Sequence, residues 1–124
     1  MHAVIETSVF LRDAARAGIS ETERDEIIAM VARDPTVGDV IPGTGGARKL
    51  RVAGRGKGKS GGYRIITYFA AEDVPVLMLA VVDKGERADL TKAEQNELRA
   101  ELSGVAEDYR ESVRRAVARR RGMT

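Results

Sequence analysis

The chain has 124 residues, 43% hydrophobic and 32% charged, which is the composition of a folded protein with about one domain, here residues 1–124. Aromatic residues make up only 4%, so the core must be built from aliphatic side chains. The sequence has no cysteine, and its single histidine is His2. Disulfide scaffolds, thiolate metal sites and cysteine nucleophiles are therefore excluded, and histidine chemistry is nearly excluded. No secretory signal is present and no apolar run approaches the ~20 residues that span a bilayer, so we expect a cytoplasmic protein.

The charges are segregated, although the formal net charge is only +2. No acidic residue lies between Asp39 and Glu72, and this interval contains seven bases: Arg48, Lys49, Arg51, Arg55, Lys57, Lys59 and Arg64. Five more arginines close the chain: Arg114, Arg115, Arg119, Arg120 and Arg121. An acidic body with two basic patches is the electrostatic footprint expected of a polyanion-binding protein, although a basic tail alone is more often a solvated helix end.

The amino-terminal part predicts a strand followed by two helices. Residues 2–6 predict an opening or edge strand. Thr7 or Ser8 then caps a helix that Gly18 ends. The S-x-x-E capping box that follows starts a second helix, which the Asp34-Pro35 pair ends.

The middle of the chain predicts an antiparallel sheet. Glycines become frequent after the second helix, and the alternating Leu50 and Val52 predict a strand that leads into a glycine-rich loop. Residues 63–71 and 74–82 are dense in β-branched, aromatic and other apolar side chains, which predicts two further strands. Residues 72–73 join these two strands as a hairpin.

The carboxyl-terminal part predicts one long amphipathic helix over residues 91–121. Thr91 and Glu94 form a capping box, and Gly104 is the weak point of the helix. Apolar residues recur at spacings of three and four: Leu98, Leu102, Val105, Tyr109, Val113 and Ala116. Helices come first, strands next and a helix last, without β–α alternation, so the order predicts the α+β class with an antiparallel sheet.

The glycine-rich loop contains two motifs that resemble nucleotide-binding sequences. Residues 53–60 are one residue short of a phosphate-binding G-x-x-x-x-G-K-[ST] loop, because Ala53 stands where the first glycine belongs. Residues 56–61 also spell G-x-G-x-x-G. Both motifs require a helix directly afterwards, whereas this loop leads into a β-rich segment. The sequence therefore does not support a nucleoside triphosphatase.

Basic residues are expected on one face of the sheet. Because side chains alternate along a strand, Lys49 and Arg51 project together, and we expect Arg64 on the neighbouring strand to share their face. The loop bases Arg55, Lys57 and Lys59 would overhang this face. Such a groove suits a phosphodiester backbone, and fixed cations also stabilise the charge that grows on phosphorus when a neighbouring 2′-OH attacks it.

Cleavage also needs groups that accept and donate a proton. With no usable histidine, Lys49 and Lys84 are candidates, and Glu86 is a candidate base. The alternative is that the bases only bind RNA and that Asp83, Glu86 and Asp89 are ordinary loop acids. No histidine or clustered ligand set supports a metal, so we expect neither a metal nor another cofactor.

Three segments in this order resemble a known family: VIPGTGGARKLRV (residues 40–52), GRGKGKSGGYRIITYF (residues 54–69) and KGERADL (residues 84–90). They are similar to toxins of the RelE/ParE superfamily from type II toxin–antitoxin systems, closest to the HigB-type branch. The resemblance implies a RelE-like α+β fold with amino-terminal helices on a small antiparallel sheet. It also implies a ribosome-dependent mRNA endoribonuclease that inhibits translation without a metal and is neutralised by a cognate antitoxin.

The resemblance also implies site residues. Lys49 and Arg51 match the basic active-site strand of the family, Arg64 matches its phosphate-contacting arginine, and residues 84–87 match its later basic element. The RelE type has a tyrosine near the end of that element, where this chain has Thr91. The predicted catalytic residues are Lys49, Arg51, Arg64, Lys84 and Glu86, and the predicted RNA-binding residues are Arg48, Arg55, Lys57, Lys59 and Arg87.

Two other functions remain open at this point. A ParE-like protein would inhibit DNA gyrase without catalytic groups, but the seven-base cluster argues against that branch. A noncatalytic RNA-binding module would keep the groove, and its Lys49→Ala variant would lose binding without a separate loss in cleavage rate.

Overall fold

The computed structural model describes residues 1–53, 62–83 and 90–122. Its elements, in chain order, are β1 (Val4–Glu6), α1 (Ser8–Ala17), α2 (Glu21–Arg33), β2 (Asp39–Val40), β3 (Ala47–Val52), β4 (Tyr63–Tyr68), β5 (Val76–Asp83), α3 (Lys92–Leu102) and α4 (Val105–Gly122). Among the helices in these ranges, none combines the length and apolarity needed to cross a bilayer.

The five strands form one sheet in the order β1-β5-β4-β3-β2. The pairs β2–β3, β3–β4 and β4–β5 are antiparallel, and each of them joins two strands that are consecutive along the chain. The predicted α+β class, with amino-terminal helices and a carboxyl-terminal helix, is confirmed. The sheet is nevertheless mixed, because β1 pairs with β5 in parallel. No hairpin turn joins β1 to β5, so nothing in the connection forces them to be antiparallel.

The sheet has a core on each face. On one face, Phe10 of α1 and Val31 of α2 are fully buried in a cluster with Ile65, Val76 and Met78 of the strands. On the other face, a smaller cluster joins Leu102 of α3 to buried strand residues. The alternation of side chains along the strands therefore supplies apolar residues to two helical layers, and α3 covers only part of its face.

Helix α1 is fixed to β5 by polar contacts as well as by packing. The Thr7 hydroxyl donates to the Met78 carbonyl at 2.7 Å. Further along, β5 continues past the end of β1, and the backbone N–H of Val81 donates to the Asp13 carboxylate at 3.1 Å. A side chain of α1 thus takes the place of a backbone partner on this strand edge.

The predicted beginnings of α1, α2 and α3, and the predicted end of α1, are confirmed. Thr7 caps α1 by accepting from the Phe10 N–H at 3.2 Å, and Gly18 ends the helix in the left-handed conformation. Both predicted capping boxes are present, at Ser20 for α2 and at Thr91 for α3. These caps satisfy backbone donors that the first helical turn leaves without partners.

The strand boundaries differ slightly from the prediction. β4 ends at Tyr68 rather than at residue 71, and β5 begins at Val76. The predicted turn at Glu72 and Asp73 does join them. The two-residue strand β2 was not predicted, since it is too short to show any alternation.

The prediction of one helix over residues 91–121 is wrong. α3 ends at Leu102 and α4 begins at Val105, because Gly104 has a φ of +83°. That backbone conformation ends a helix and is accessible to glycine without steric cost. The apolar stripe is therefore divided between two helices: Leu102 is buried in the core, whereas α4 has no buried residue.

We expect the Gly104→Ala substitution to lower the free energy of unfolding by about 1–2 kcal/mol. A Cβ at this position would meet no atom within 4 Å, so the cost comes only from the left-handed backbone conformation. Urea unfolding of the variant beside Ser103→Ala, at an adjacent exposed position, measures the effect. Equal or greater stability of Gly104→Ala would contradict a required break between α3 and α4.

Candidate nucleic-acid interface

Three predicted site residues meet on two neighbouring strands. Arg51 of β3 is the direct cross-strand partner of Arg64 on β4. Lys49 lies two residues before Arg51, so its side chain leaves the same face of the sheet. Directly opposed side chains in an antiparallel pair have Cβ atoms about 4.5–5.5 Å apart, and like charges at that separation destabilise the pair. The register therefore concentrates positive charge at one place.

These three cations line a cavity of about 390 Å³ together with Gly38 and Asp39. Its volume lies within the range of about 300–1,000 Å³ typical of small-ligand pockets. Lys49 and Arg64 are half-buried and Arg51 is exposed, so the cavity is open to solvent but has fixed walls. Such a cavity can accept a phosphate group and the sugar attached to it.

The cavity exists because the helical cover of this face is incomplete. Ile66, the cross-strand partner of Lys49, is buried in the cluster that includes Leu102 of α3. Two residues earlier on the same strand, Arg64 lines the cavity instead. The same face thus changes from apolar beneath α3 to basic beside β2, over a distance of two residues on each strand.

Asp39 is a cavity residue that the sequence analysis missed. It lies on β2 and is the Cα partner of Lys49, which brings one carboxylate to the rim of a cavity lined by cations. Its only distinction in the sequence is that it is the last acid before the basic interval. A carboxylate here can accept a proton or orient a neighbouring ammonium group.

Arg48 does not line this cavity, although it was predicted to bind RNA. Arg48 lies between Ala47 and Lys49 on β3, so its side chain leaves the opposite face of the sheet from that of Lys49. The guanidinium Nη1 donates to the carbonyl of Thr36 at 2.9 Å and to that of Gly38 at 3.2 Å. Arg48 therefore holds the segment that carries Gly38 and Asp39 against β3.

The remaining predicted site residues lie outside the described residues. They are Arg55, Lys57 and Lys59 of the glycine-rich segment, and Lys84, Glu86 and Arg87 after β5. Their expected contributions to binding and catalysis stay predictions.

The chain is similar to known proteins in two comparisons. The family model described as the RelE toxin of the RelE/RelB toxin–antitoxin system matches residues 3–121. Among solved structures, the chain is similar to a mutant of the Escherichia coli toxin RelE in its free state, with 18% sequence identity and a TM-score of 0.46. That similarity covers 80% of this chain and 90% of the E. coli chain.

Gly38 provides a test of how the cavity wall is built. Its φ is +94°, and a Cβ there would lie 2.5 Å from the Lys49 carbonyl oxygen. We expect Gly38→Ala to be destabilised by more than the ~1–2 kcal/mol of backbone strain, and to displace β2 from β3. Gly18→Ala is the matched control, because Gly18 has a φ of +79° with no atom within 4 Å of its Cβ position. Urea unfolding of both variants compares them, and equal losses would contradict the close approach.

Proposed function

Because the chain belongs to the family of RelE toxins from RelE/RelB toxin–antitoxin systems, we propose that it is an endoribonuclease that cleaves translated mRNA on the ribosome. The observation that carries this proposal is the cavity in which Lys49, Arg51 and Arg64 meet. A noncatalytic inhibitor would need no such concentration of cations on a rigid sheet. The order of the three sequence segments further supports the HigB-type branch.

In the proposed reaction, the 2′-oxygen of one nucleotide attacks the adjacent phosphorus. The P–O bond to the 5′-oxygen of the next nucleotide breaks, giving a 2′,3′-cyclic phosphate and a free 5′-hydroxyl. One proton leaves the 2′-hydroxyl and one is delivered to the departing 5′-oxygen. No metal is required in this scheme, because side-chain cations can stabilise the negative charge on the phosphate.

The two arginines suit the phosphate and the lysine suits the reacting oxygens. A guanidinium group presents paired N–H donors that match two phosphate oxygens, and Arg51 and Arg64 start from directly opposed positions. Lys49 supplies a compact charge on the same face. Charge that develops in the transition state is then stabilised by groups that are already in place before the reaction.

Asp39 joins the proposed proton-transfer groups. It is the one carboxylate that lines the cavity within the described residues, and general-base catalysis requires such an acceptor near the 2′-hydroxyl. Lys84 and Glu86 remain candidates for delivering the second proton to the 5′-oxygen.

We also propose that the cognate antitoxin acts at this cavity. An acidic segment placed over Lys49, Arg51 and Arg64 would neutralise the charges that mRNA needs and would exclude it sterically. This arrangement accounts for inhibition without any change in the fold of the toxin.

Single substitutions of the cavity cations test the proposed activity. We expect Lys49→Ala, Arg51→Ala and Arg64→Ala each to lower mRNA cleavage on purified translating ribosomes by about 100-fold, because each removes stabilisation of the transition state. Arg12→Ala is the control, since Arg12 is exposed on α1. Circular dichroism and thermal unfolding verify that each variant is folded.

Mapping of new mRNA 5′ ends in cells that express the wild type tests the same proposal in vivo. Cleavage within translated frames is expected, and it should vanish in the three variants. Growth arrest with intact mRNA would contradict the nuclease and favour a target such as DNA gyrase. RNA binding that weakens in the variants, with no cleavage by the wild type, would favour a noncatalytic binding module.

Asp39→Asn separates catalysis from binding. If Asp39 accepts the proton, the cleavage rate at saturating RNA should fall about 100-fold or more. RNA binding should be unchanged or tighter, because a negative charge leaves a cavity that binds an anion. Asp25→Asn, at an exposed position of α2, is the control. An unchanged cleavage rate would remove Asp39 from the mechanism.

A further inference from the structure

The distal half of α4 lies outside the body of the protein. From residue 111 to residue 122 every side chain is exposed, and α4 has no buried residue. At a rise of 1.5 Å per residue, these twelve residues form an arm about 18 Å long. The sequence alone leaves this segment unassigned, because a charged helix end is often only solvated.

The charge of the arm is entirely positive beyond Glu111. Residues 112–122 contain five arginines and no acid: Arg114, Arg115, Arg119, Arg120 and Arg121. Arg114 forms an ion pair with Glu111 at 2.8 Å, whereas Arg119 and Arg120 are two helical turns further along and out of its reach. Positive charge therefore accumulates toward the tip of the arm.

A network of ion pairs fixes the base of the arm to the body. Arg110 donates two hydrogen bonds to the Asp73 carboxylate in the β4–β5 turn, from Nε at 2.7 Å and from Nη2 at 2.8 Å. It also contacts Glu107 at 2.7 Å. The hydrogen bond from Arg110 holds the pKa of Asp73 below its ordinary value. This bidentate contact sets the direction in which the arm leaves the sheet.

The distribution of the arginines around the arm favours a nucleic acid, rather than a groove of another protein, as its binding partner. At 100° per residue, Arg119, Arg120 and Arg121 alone span more than half of the helix circumference. The large apolar side chains exposed on the arm are Val113 and Val117, which are 43% and 45% exposed. A helix that docks in a protein groove needs a continuous apolar face, whereas RNA presents phosphates on several sides.

We propose that residues 114–121 of α4 form a second RNA-binding site, which grips the phosphate backbone of structured RNA outside the cavity. The inference rests on the proposed function, in that an enzyme working on ribosome-bound mRNA is surrounded by such RNA. Guanidinium groups bind phosphates through paired donors, and each contact releases counterions. The arm supplies affinity and orientation, while the cavity residues carry the chemistry.

The test uses the full-length protein with Arg115→Gln, Arg119→Gln and Arg120→Gln combined. Glutamine keeps helix propensity, so the arm should stay helical by circular dichroism. The control combines Arg12→Gln, Arg16→Gln and Arg33→Gln, which remove the same charge from exposed positions of α1 and α2. Binding of a fluorescent 20-base-pair RNA hairpin is measured by anisotropy at several salt concentrations.

The arm variant should bind the hairpin at least about 10-fold more weakly near 100 mM salt, with a salt slope lower by about 2–3. The control should retain most of the wild-type affinity and slope. The same difference between the arm variant and the control should appear when both triple variants are made in the Lys49→Ala background, because the cavity is then already disabled.

Three results would overturn the inference. Unchanged affinity and slope in the arm variant would mean that the arginines are only solvated. An equal loss of RNA affinity in the control would show that binding depends on net charge and not on the arginines of the arm. Self-association of the wild type, lost in the arm variant when measured by light scattering, would make the arm a contact to a second copy. Failure of the nuclease proposal would appear separately, as mRNA that stays intact on ribosomes in the presence of the wild type, with the arm effect still present.

Discussion

The antiparallel register between β3 and β4 is the constraint on which the functional surface depends. It places Arg51 directly opposite Arg64, with Lys49 on the same face, and so brings three like charges to one cavity. Such opposition destabilises a sheet, and the cost is met by apolar pairing elsewhere on the same strands, as at Leu50 and Ile65. A bound phosphate would relieve this repulsion, which is why the arrangement fits a polyanion better than a purely structural role.

The two faces of the sheet differ in how completely helices cover them. One face is covered by α1 and α2 and contains the larger buried cluster. The other is covered by α3 over only part of its area, and the uncovered part is the basic cavity. Because Arg48 holds the Gly38–Asp39 segment against β3, a side chain that faces away from the cavity still shapes its wall. The three residues proposed to bind RNA, Lys49, Arg51 and Arg64, are therefore supported by paired strands.

Charge segregation extends this division to the whole molecule. The acids lie mainly on the helices. Glu107 of α4 and Asp73 of the β4–β5 turn anchor α4 through Arg110. The bases collect in the sheet cavity and at the tip of α4, and these two sites differ in kind. The cavity holds its cations on paired strands, as the proposed transition-state stabilisation requires, whereas the arm presents arginines on an exposed helix, which would suffice for the proposed binding to an RNA backbone.

Sequence alone determined the features that depend on interactions between residues a few positions apart along the chain. The caps at Thr7, Ser20 and Thr91 depend on contacts three residues apart, and the shared face of Lys49 and Arg51 depends only on strand alternation. The tertiary structure decided the parallel direction of β1 and the approach of Asp39 to Lys49. It also decided the break at Gly104 that separates α4 from α3. The first two are contacts between residues distant along the chain, which leave no local pattern. The break at Gly104 depends on a competition: local periodicity favours one continuous helix, but α3 ends where Leu102 packs in the core and the glycine lets the chain turn there.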